Sequence, residues 1–488
     1  MYGITAQLFL LPAVAVYLLS ATHYIILIKL FLVVCLWGAF WVSLQIFNRS
    51  AKGGFSSGSS GALLLFGFSL PPVLVTVNSG METAAALFLI TLSLLILFTG
   101  SNRAGQPLRL GLIAVLIYLI RPDAILLVLC VALIWFWRNN FARFLKISLI
   151  AGSGVVAFLF LFSKYYGTAL PLSFYLKSAP LTGYYTHFLS IARRVKLFHF
   201  TQFIYYSAPF LLISLFRRDR RVLALVGGSL VFVLYHLLST VEVMGMMARF
   251  YLPALMPIVL AASLTLPEFC RKAKTQILTA LLLLYSIAGY VLLARSVLKE
   301  ISPWLLLVYL ISLGLIVAGA RFKRKIFSYF SIILLVCGIL VFRLPFKVIV
   351  HTDEKIVLSQ VDRFTVWRGI KTLRRSFREP IHIYHSEIGV PGVLFLNSRV
   401  TDLSGLMNRR MTLGHLPFDS LCSEDQPEAI FLPHKNYREL NRQILRSACL
   451  AKYTRVVSKS SSPLYIRNDL LPVYREKQKV LFRDYKYP

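Results

Sequence analysis

Long apolar runs, separated by short polar stretches, recur along the chain up to residue 346. A helix that crosses a bilayer needs about 20 mostly apolar residues, and the runs approach that length. The pattern predicts an all-α polytopic membrane bundle of about twelve spans. The predicted spans cover residues 25–47, 62–78, 83–99, 108–120, 124–137, 144–163, 203–216, 222–239, 250–267, 276–295, 303–320 and 326–346.

The pattern changes at about residue 348, where the hydropathy falls and short alternating and amphipathic segments replace the long runs. Alternation at every second residue predicts strands, and apolar residues at helical spacing predict helices. The sequence therefore predicts a transmembrane domain over residues 1–347 and a small α/β domain over residues 348–488. The predicted strands are 381–384, 429–433 and 453–458, and the predicted helices are 361–377 and 436–448.

Basic residues in the short loops predict the orientation of the spans. Six alternate loops contain 18 Lys and Arg, and the short loops between them contain far fewer. By the positive-inside rule, the six basic loops are cytoplasmic. They lie at 48–61, 100–109, 138–146, 217–221, 271–275 and 321–325.

This orientation predicts a multi-pass protein of the cytoplasmic membrane with its α/β domain outside the cytoplasm. Loop 164–202 and the Arg121-Pro122-Asp123 turn are then external as well. Residues 1–24 are also external, unless the apolar segment 5–20, which Pro12 interrupts, crosses the membrane rather than lying in the interface as a juxtamembrane helix. Residues 52–61, which are rich in Gly and Ser, predict a flexible cytoplasmic linker.

The net charge of +33 gives limited information on binding partners, because part of it serves membrane topology. It suggests nucleic acid at first, but 18 of the 53 basic residues serve the topology, and no nucleic-acid-binding module is visible. Residues 351–488 keep a surplus of nine positive charges, which on an outer leaflet favours anionic lipid or a phosphate-bearing substrate.

Six cysteines are present, four of them in or beside predicted spans, where packing is their default role. Cys422 and Cys449 form the only pair in the predicted outer domain. An oxidising compartment permits a disulfide there, but two small buried side chains fit the sequence equally well.

Ionisable residues collect at the predicted outer ends of the spans: Glu82, Arg121, Asp123, Glu242 and Arg249. An ionisable group in hydrocarbon costs roughly 2.5 to 3.5 kcal/mol or more, so such groups normally pair or line a wet cavity. Singly, each has a structural explanation, namely a tight interfacial hairpin, a carboxylate at a helix N-terminus, or an arginine that reaches the headgroups. Together they predict one external polar site.

The chain resembles bacterial membrane glycosyltransferases of the C fold, in particular the arabinofuranosyltransferase-like group. The resemblance lies in five segments, which occur in the same order and extend over nearly the whole chain up to about residue 410. They are NSGMETAAALF, YLIRPDAILLV, KYYGTALPLSFYLKS, ARFYLPALMPI and HSEIGVPGVLFLNSRVTDLSGLMN.

The resemblance implies transfer of a sugar from a polyprenyl-phosphate donor to a glycan, lipid or protein acceptor outside the cytoplasmic membrane. In that group a first span and an external loop with an acidic motif come earlier, and neither has a counterpart in this chain. We therefore expect one of three explanations: the start of the chain is misassigned, another acid takes the catalytic role, or the chain is inactive.

Such a transfer needs a cation for the leaving phosphate and a carboxylate for the acceptor proton. Arg121 and Arg249 are the phosphate candidates, because a guanidinium binds such oxygens bidentately and stays charged. Glu82, Asp123 and Glu242 are the carboxylate candidates; for Glu82 and Asp123, we favour positioning of Arg121 or of acceptor hydroxyls over action as the base.

Three further residues are candidates for contacts with the substrate. Tyr166 and Lys177 lie in the aromatic segment 164–202, although an interfacial aromatic belt explains most rings there. Tyr251 follows Arg249 by two positions.

No cofactor or metal is predicted. No phosphate-binding strand-loop-helix is present, and His382 and His385, three apart on a predicted strand, point to opposite faces. Two other functions stay open: a lipid or solute transporter, and a non-catalytic membrane scaffold.

Overall fold

The computed structural model describes most of the chain. The protein folds into two compact units, one of residues 5–161 and 195–350 and one of residues 1–4, 162–194 and 351–488. The described residues are 7–20, 24–50, 57–70, 72–74, 82–99, 105–138, 140–170, 188–217, 219–239, 246–272, 303–322, 325–341, 369–377, 380–386, 389–395, 397–403, 408–412, 416–433, 437–456 and 464–484.

The described part of the chain before residue 342 consists of helices and the short turns that join them. They are α1 (Gln7–Leu19), α2 (Tyr24–Ser50), α3 (Ser57–Phe68), α4 (Thr83–Thr99), α5 (Gln106–Ile120), α6 (Ala124–Phe136), α7 (Phe141–Tyr166), α8 (Phe188–Ser214), α9 (Arg220–Ser239), a 3₁₀ helix (Met246–Tyr251), α10 (Leu252–Lys272), α11 (Pro303–Arg321) and α12 (Lys325–Val341).

Four of the described helices are long and apolar enough to cross a membrane: Ile26–Arg49, Phe141–Tyr166, Arg220–Ser239 and Ala248–Arg271. The last of these, which includes most of α10, is almost wholly buried inside the bundle. In contrast, α7 buries only Ile147 and Ala151 along its 26 residues. An apolar surface of that extent is unfavourable in water and matches the hydrocarbon of a bilayer.

Six other predicted spans overlap shorter apolar helices of 10 to 17 residues, and the predicted span 203–216 lies mostly within α8. The twelve-span count therefore stays a prediction, and the span at 276–295 lies outside the described residues. α1, with Pro12 inside its 13 residues, is about 20 Å long at 1.5 Å per residue and too short to span hydrocarbon of about 30 Å.

The predicted linker over 52–61 was wrong in its second half, because α3 begins at Ser57. Small residues there allow neighbouring helices to approach. The hydroxyls of Ser59 and Ser328, on α3 and α12, lie 2.8 Å apart. Composition alone suggested flexibility because Gly and Ser are common both in linkers and at close helix contacts in membranes.

A glycine also sets the close contact between α6 and α9. A Cβ at Gly228 would lie 2.5 Å from Cγ2 of Val131 and 2.9 Å from its backbone nitrogen. Small residues at such positions let two membrane helices pack backbone to backbone. A side chain at 228 would have to push the two helices apart.

We expect Gly228→Ala to lower the free energy of unfolding by about 1 to 3 kcal/mol, the usual range for overpacking. Thermal unfolding in detergent micelles measures this. Gly152→Ala is the matched control, because a Cβ at the helical Gly152 meets nothing within 4 Å. Equal stability of the two variants would contradict the close contact.

The second unit contains a five-stranded sheet in the order β2-β1-β3-β5-β4. β1 pairs in parallel with β2 and β3, and β5 pairs antiparallel with β3 and β4. The small α/β domain predicted from the sequence is thus present. The strands are β1 (His382–His385), β2 (Arg399–Asp402), β3 (Ala429–Phe431), β4 (Tyr453–Arg455) and β5 (Leu464–Arg467).

Helices cover both faces of this sheet. Alternate strand residues separate two cores: Tyr384 and Ile430 pack on one side, and Ile383 and Ala429 on the other. Period-two alternation along each strand requires this division. The helices of the domain are α13 (Ile370–Ser376), α14 (Gly389–Leu394), α15 (Arg409–Thr412), α16 (Phe418–Asp425), α17 (Arg438–Arg446), 3₁₀ helices Ala448–Lys452 and Asn468–Leu470, and α18 (Leu471–Asp484).

A disulfide joins Cys422 of α16 to Cys449 of the first 3₁₀ helix of this domain. Both residues belong to the core that contains Tyr384. Of the two arrangements that the sequence allowed, the structure has the bridged one.

Candidate functional site

Charged side chains from four separate segments meet at one end of the helical bundle. Glu82 directly precedes α4, Arg121-Pro122-Asp123 joins α5 to α6, His236 lies near the end of α9, and Arg249 lies in the 3₁₀ helix before α10. All four segments belong to the same compact unit. We call this group, with Thr83, the polar cluster.

Arg121 connects three of these segments. Its Nε donates to Asp123 Oδ2 at 3.1 Å, its Nη1 donates to Thr83 Oγ1 at 3.0 Å, and its Nη2 donates to the carbonyl oxygen of Phe250 at 3.4 Å. The residue is only 5% exposed. The rigid fork of a guanidinium can satisfy three acceptors in different directions at once, which an ammonium group on a single stem does less well.

Asp123 lies between a cation and an imidazole. Oδ2 accepts from Arg121 and also lies 2.9 Å from Nε2 of His236. Oδ1 lies 3.2 Å from the same Nε of Arg121 and has no second short contact among the described atoms. Since 21% of the Asp123 side chain is exposed and only 2% of that of His236, the histidine holds the carboxylate from its buried side.

Arg249 pairs with the other carboxylate. Its Nη2 donates to Oε1 of Glu82 at 3.2 Å, and both side chains keep some exposure, 18% for Arg249 and 16% for Glu82. The Nε of Arg249 is buried and has no hydrogen-bond partner among the residues that the structure describes. This arginine therefore has a nitrogen without a partner among the described residues, whereas each nitrogen of Arg121 has one.

The backbone before Arg249 has an unusual conformation. Ala248 has a φ of 58°, in the left-handed region that non-glycine residues rarely adopt. Its side chain is 1% exposed, so the residue is buried. Strained backbone of this kind concentrates at functional sites.

The cluster is rich in compensating charge. Arg121 and Arg249 face Asp123 and Glu82 in two pairs.

The lengths of the helices on either side of Arg121-Pro122-Asp123 indicate the depth of this turn. α5 and α6, with 15 and 13 residues, are about 22 and 20 Å long at 1.5 Å per residue. The hydrocarbon of a bilayer is about 30 Å thick, which is more than the length of either helix. If the far ends of α5 and α6 lie at one membrane surface, the turn that joins them lies inside the hydrocarbon, below the other surface. Charges at that depth persist only when paired or in contact with water.

The residues predicted for the site have three different outcomes. Glu82, Arg121, Asp123 and Arg249 come together in the polar cluster. Glu242 and Lys177 lie outside the described residues.

Two predicted tyrosines occupy other surroundings. Tyr251 is fully buried, with its ring 5.4 Å from that of Phe203 and 6.1 Å from that of His236, so it packs in the wall of the cluster rather than at an open surface. Tyr166 is the last residue of α7, and its ring lies 4.7 Å from that of Tyr165.

Sequence reasoning missed Thr83, His236 and the carbonyl group of Phe250. A threonine at the start of a helix and a backbone carbonyl leave no signal of their own. His236 left a faint one, as the single imidazole in the apolar stretch 222–239. Its partner is 113 positions away, so only the packing of α6 on α9 reveals the pair.

Comparison of the chain with protein-family models, with curated proteins and with solved structures gave no match. Within the described part of the chain, no group of three or more His, Cys, Asp or Glu side chains could hold a metal ion.

Proposed function

We propose that this protein transfers a sugar from a polyprenyl-phosphate donor to a hydroxyl group of a cell-envelope acceptor, on the outer side of the cytoplasmic membrane. The observation that carries the proposal is the convergence of two arginine-carboxylate pairs at one end of a bundle of apolar helices. The five segments that resemble C-fold glycosyltransferases support the same function.

The two arginines have different roles in this proposal. Arg249 binds the phosphate of the donor, because its buried Nε has no partner among the described residues and only one contact, to Glu82, holds its Nη2. A guanidinium with an available edge can bind a phosphate through two parallel hydrogen bonds. Arg121, with all three nitrogens engaged, instead holds the helices and Asp123 in place.

A carboxylate of the cluster takes the proton of the acceptor hydroxyl. Asp123 suits this role better than the positioning role favoured from the sequence, because Oδ1 has a single contact, 3.2 Å to Arg121, and the side chain is partly exposed. Glu82 instead holds Arg249 beside it. The oxygen of the acceptor then attacks the anomeric carbon, and the bond from that carbon to the phosphate oxygen breaks.

The disulfide supports the proposed side of the membrane. Structural disulfides persist in oxidising compartments and are rare in the bacterial cytoplasm. A domain that joins Cys422 to Cys449 fits an extracytoplasmic location, which also agrees with the charge bias of the short loops.

We expect Arg249→Gln to weaken binding of undecaprenyl phosphate about 10- to 100-fold. Hydrogen bonds to a charged group contribute about 1.5 to 3 kcal/mol, and each 1.4 kcal/mol is tenfold in affinity. Titration of the purified full chain in nanodiscs, followed by native mass spectrometry, measures the change. Arg249→Lys should retain part of the affinity, since the charge remains and the fork is lost.

Arg271→Gln is the matched control, because Arg271 is an exposed arginine near the opposite end of the helix that follows Arg249. Its affinity should equal that of the wild type. If Arg249→Gln binds undecaprenyl phosphate as tightly as Arg271→Gln, the phosphate is bound elsewhere. If the wild type neither binds this lipid nor releases it from polyprenyl-phosphate pentoses or hexoses, the proposed transfer is wrong, and a transporter or scaffold takes its place.

A further inference from the structure

Neither packing nor backbone hydrogen bonding explains why position 236 of the polar cluster is a histidine. Its side chain is 2% exposed, and its ring lies 4.6 Å from that of Phe232 and 5.9 Å from that of Phe250. An apolar ring would fill this aromatic surrounding as well. A buried imidazole there has to be explained by its nitrogens.

Only one of those nitrogens has a partner within the described residues. Nε2 lies 2.9 Å from Oδ2 of Asp123, whereas Nδ1 is buried and makes no hydrogen bond to any residue in the described ranges. Burying a polar atom without a partner is unfavourable. The hydrogen bond between Nε2 and Asp123 therefore has to offset the unfavourable burial of Nδ1.

The hydrogen-bond pattern also fixes the tautomer. Asp123 accepts from Arg121, as an ionised carboxylate does, so its contact with His236 requires a hydrogen on Nε2. In the neutral imidazole, Nδ1 then carries a lone pair and no hydrogen.

The contact determines where Asp123 points. Nε of Arg121 lies 3.1 Å from Oδ2 and 3.2 Å from Oδ1, whereas Nε2 of His236, on α9, contacts Oδ2 alone, so Oδ1 has one donor fewer than Oδ2. Val131 and Gly228, whose close approach joins α6 to α9, lie eight positions from Asp123 and His236 respectively. The same helix pair thus sets the distance between carboxylate and imidazole.

We infer that His236 is a positioning residue that holds Asp123 so that Oδ1 is the proton acceptor for the acceptor hydroxyl. This inference rests on the proposed sugar transfer. In that step the hydroxyl oxygen forms a bond to the anomeric carbon, the carbon-oxygen bond to the phosphate breaks, its electron pair stays on the phosphate, and the proton goes to Oδ1 of Asp123. His236 neither gains nor loses a proton.

The polar cluster contains four charged groups besides His236, whose helix α9 packs against α6, the 3₁₀ helix Met246–Tyr251 and α10. Asp123 touches His236 directly, Arg121 reaches the same carboxylate, and Arg249 and Glu82 form the neighbouring pair. Of these four groups, Asp123 is the one that lies within hydrogen-bond distance of the imidazole. The orientation of its carboxylate is therefore the property that a change at 236 alters first.

Two substitutions of similar size separate positioning from packing. His236→Gln keeps an N–H donor at the end of the side chain, and His236→Phe keeps the ring and loses the donor. We expect His236→Phe to lower kcat for release of polyprenyl phosphate from a polyprenyl-phosphate sugar about 10- to 100-fold, the loss typical of a misplaced reacting group, with KM for the donor little changed. His236→Gln should retain most of the wild-type kcat.

A second measurement does not depend on turnover. The full chain with ¹⁵N-labelled histidine should show a His236 signal of the Nε2–H tautomer, identified by its absence from His236→Gln, and Asp123→Leu should shift it. An Nδ1–H tautomer, or equal kcat values for the Phe and Gln variants, would overturn the inference. A wild type that shows the expected tautomer but no turnover would instead refute the sugar transfer and leave the orientation of Asp123 in place.

Discussion

Arg121→Met is expected to destabilise the helical bundle by about 3 to 5 kcal/mol. The substitution removes one partner of a buried ion pair and leaves Asp123 with His236 alone, and breaking such a pair carries a penalty of this size. The hydroxyl of Thr83 and the carbonyl of Phe250 also lose their donor. Unfolding of the full chain in mixed detergent micelles measures the change.

Arg109→Met is the control for this prediction. Arg109 lies on the same helix, α5, near its other end and is exposed, so its replacement should change stability by no more than about 0.5 kcal/mol. The double variant Arg121→Met/Asp123→Leu should recover part of the loss, because removing both charges leaves none buried without a partner. Wild-type stability of Arg121→Met would show that the network around Arg121 does not hold the bundle together.

Removal of the disulfide is expected to destabilise the α/β domain by about 3 to 4 kcal/mol. The bridge closes a loop with a sequence separation of 27, and the loss of chain entropy that such a loop removes from the unfolded state gives this magnitude. Cys422→Ala/Cys449→Ala should therefore increase hydrogen exchange across residues 416–433 in the full chain, measured by mass spectrometry.

Cys337→Ala is the matched control for the double variant, since Cys337 is an exposed free cysteine of α12. Its exchange pattern over residues 416–433 should equal that of the wild type. Similar exchange in all three proteins would mean that the sheet is stable without the bridge. The wild-type domain should also react with a maleimide at Cys422 and Cys449 only after reduction.

Helices and the C-terminal α/β domain could be predicted from the sequence because both depend on local patterns, whereas the grouping of residues 162–194 with the second unit could not. The run 83–99 coincides with α4, and the runs 222–239 and 124–137 lie within two residues of α9 and α6. Strands β2 and β5 were missed, since four residues such as Arg399–Asp402 give too little alternation to stand out. The runs 25–47, 144–163 and 203–216 underestimated the lengths of α2, α7 and α8, because polar residues continue these helices beyond the apolar sequence.

The site was predictable only in its components. Arg121 and Asp123 are two residues apart, so their pairing follows from local geometry. The pairing of Arg249 with Glu82 joins residues 167 positions apart, and that of His236 with Asp123 joins residues 113 positions apart. Both pairings depend on which helices pack together. Helix packing is set by interactions such as the close approach of two helix backbones at a glycine, not by any property of the paired residues.

Ala248 has a consequence for the dynamics of Arg249. A left-handed residue with a methyl group has few alternative conformations of similar energy, whereas glycine would have many. Although this conformation costs about 1 to 3 kcal/mol, it restricts the backbone from which the Arg249 side chain extends before any ligand arrives. A ligand that binds Arg249 therefore loses less conformational entropy on association. The conformation of Ala248 lowers the stability of the fold, and the smaller entropy loss raises the affinity of Arg249 for its ligand.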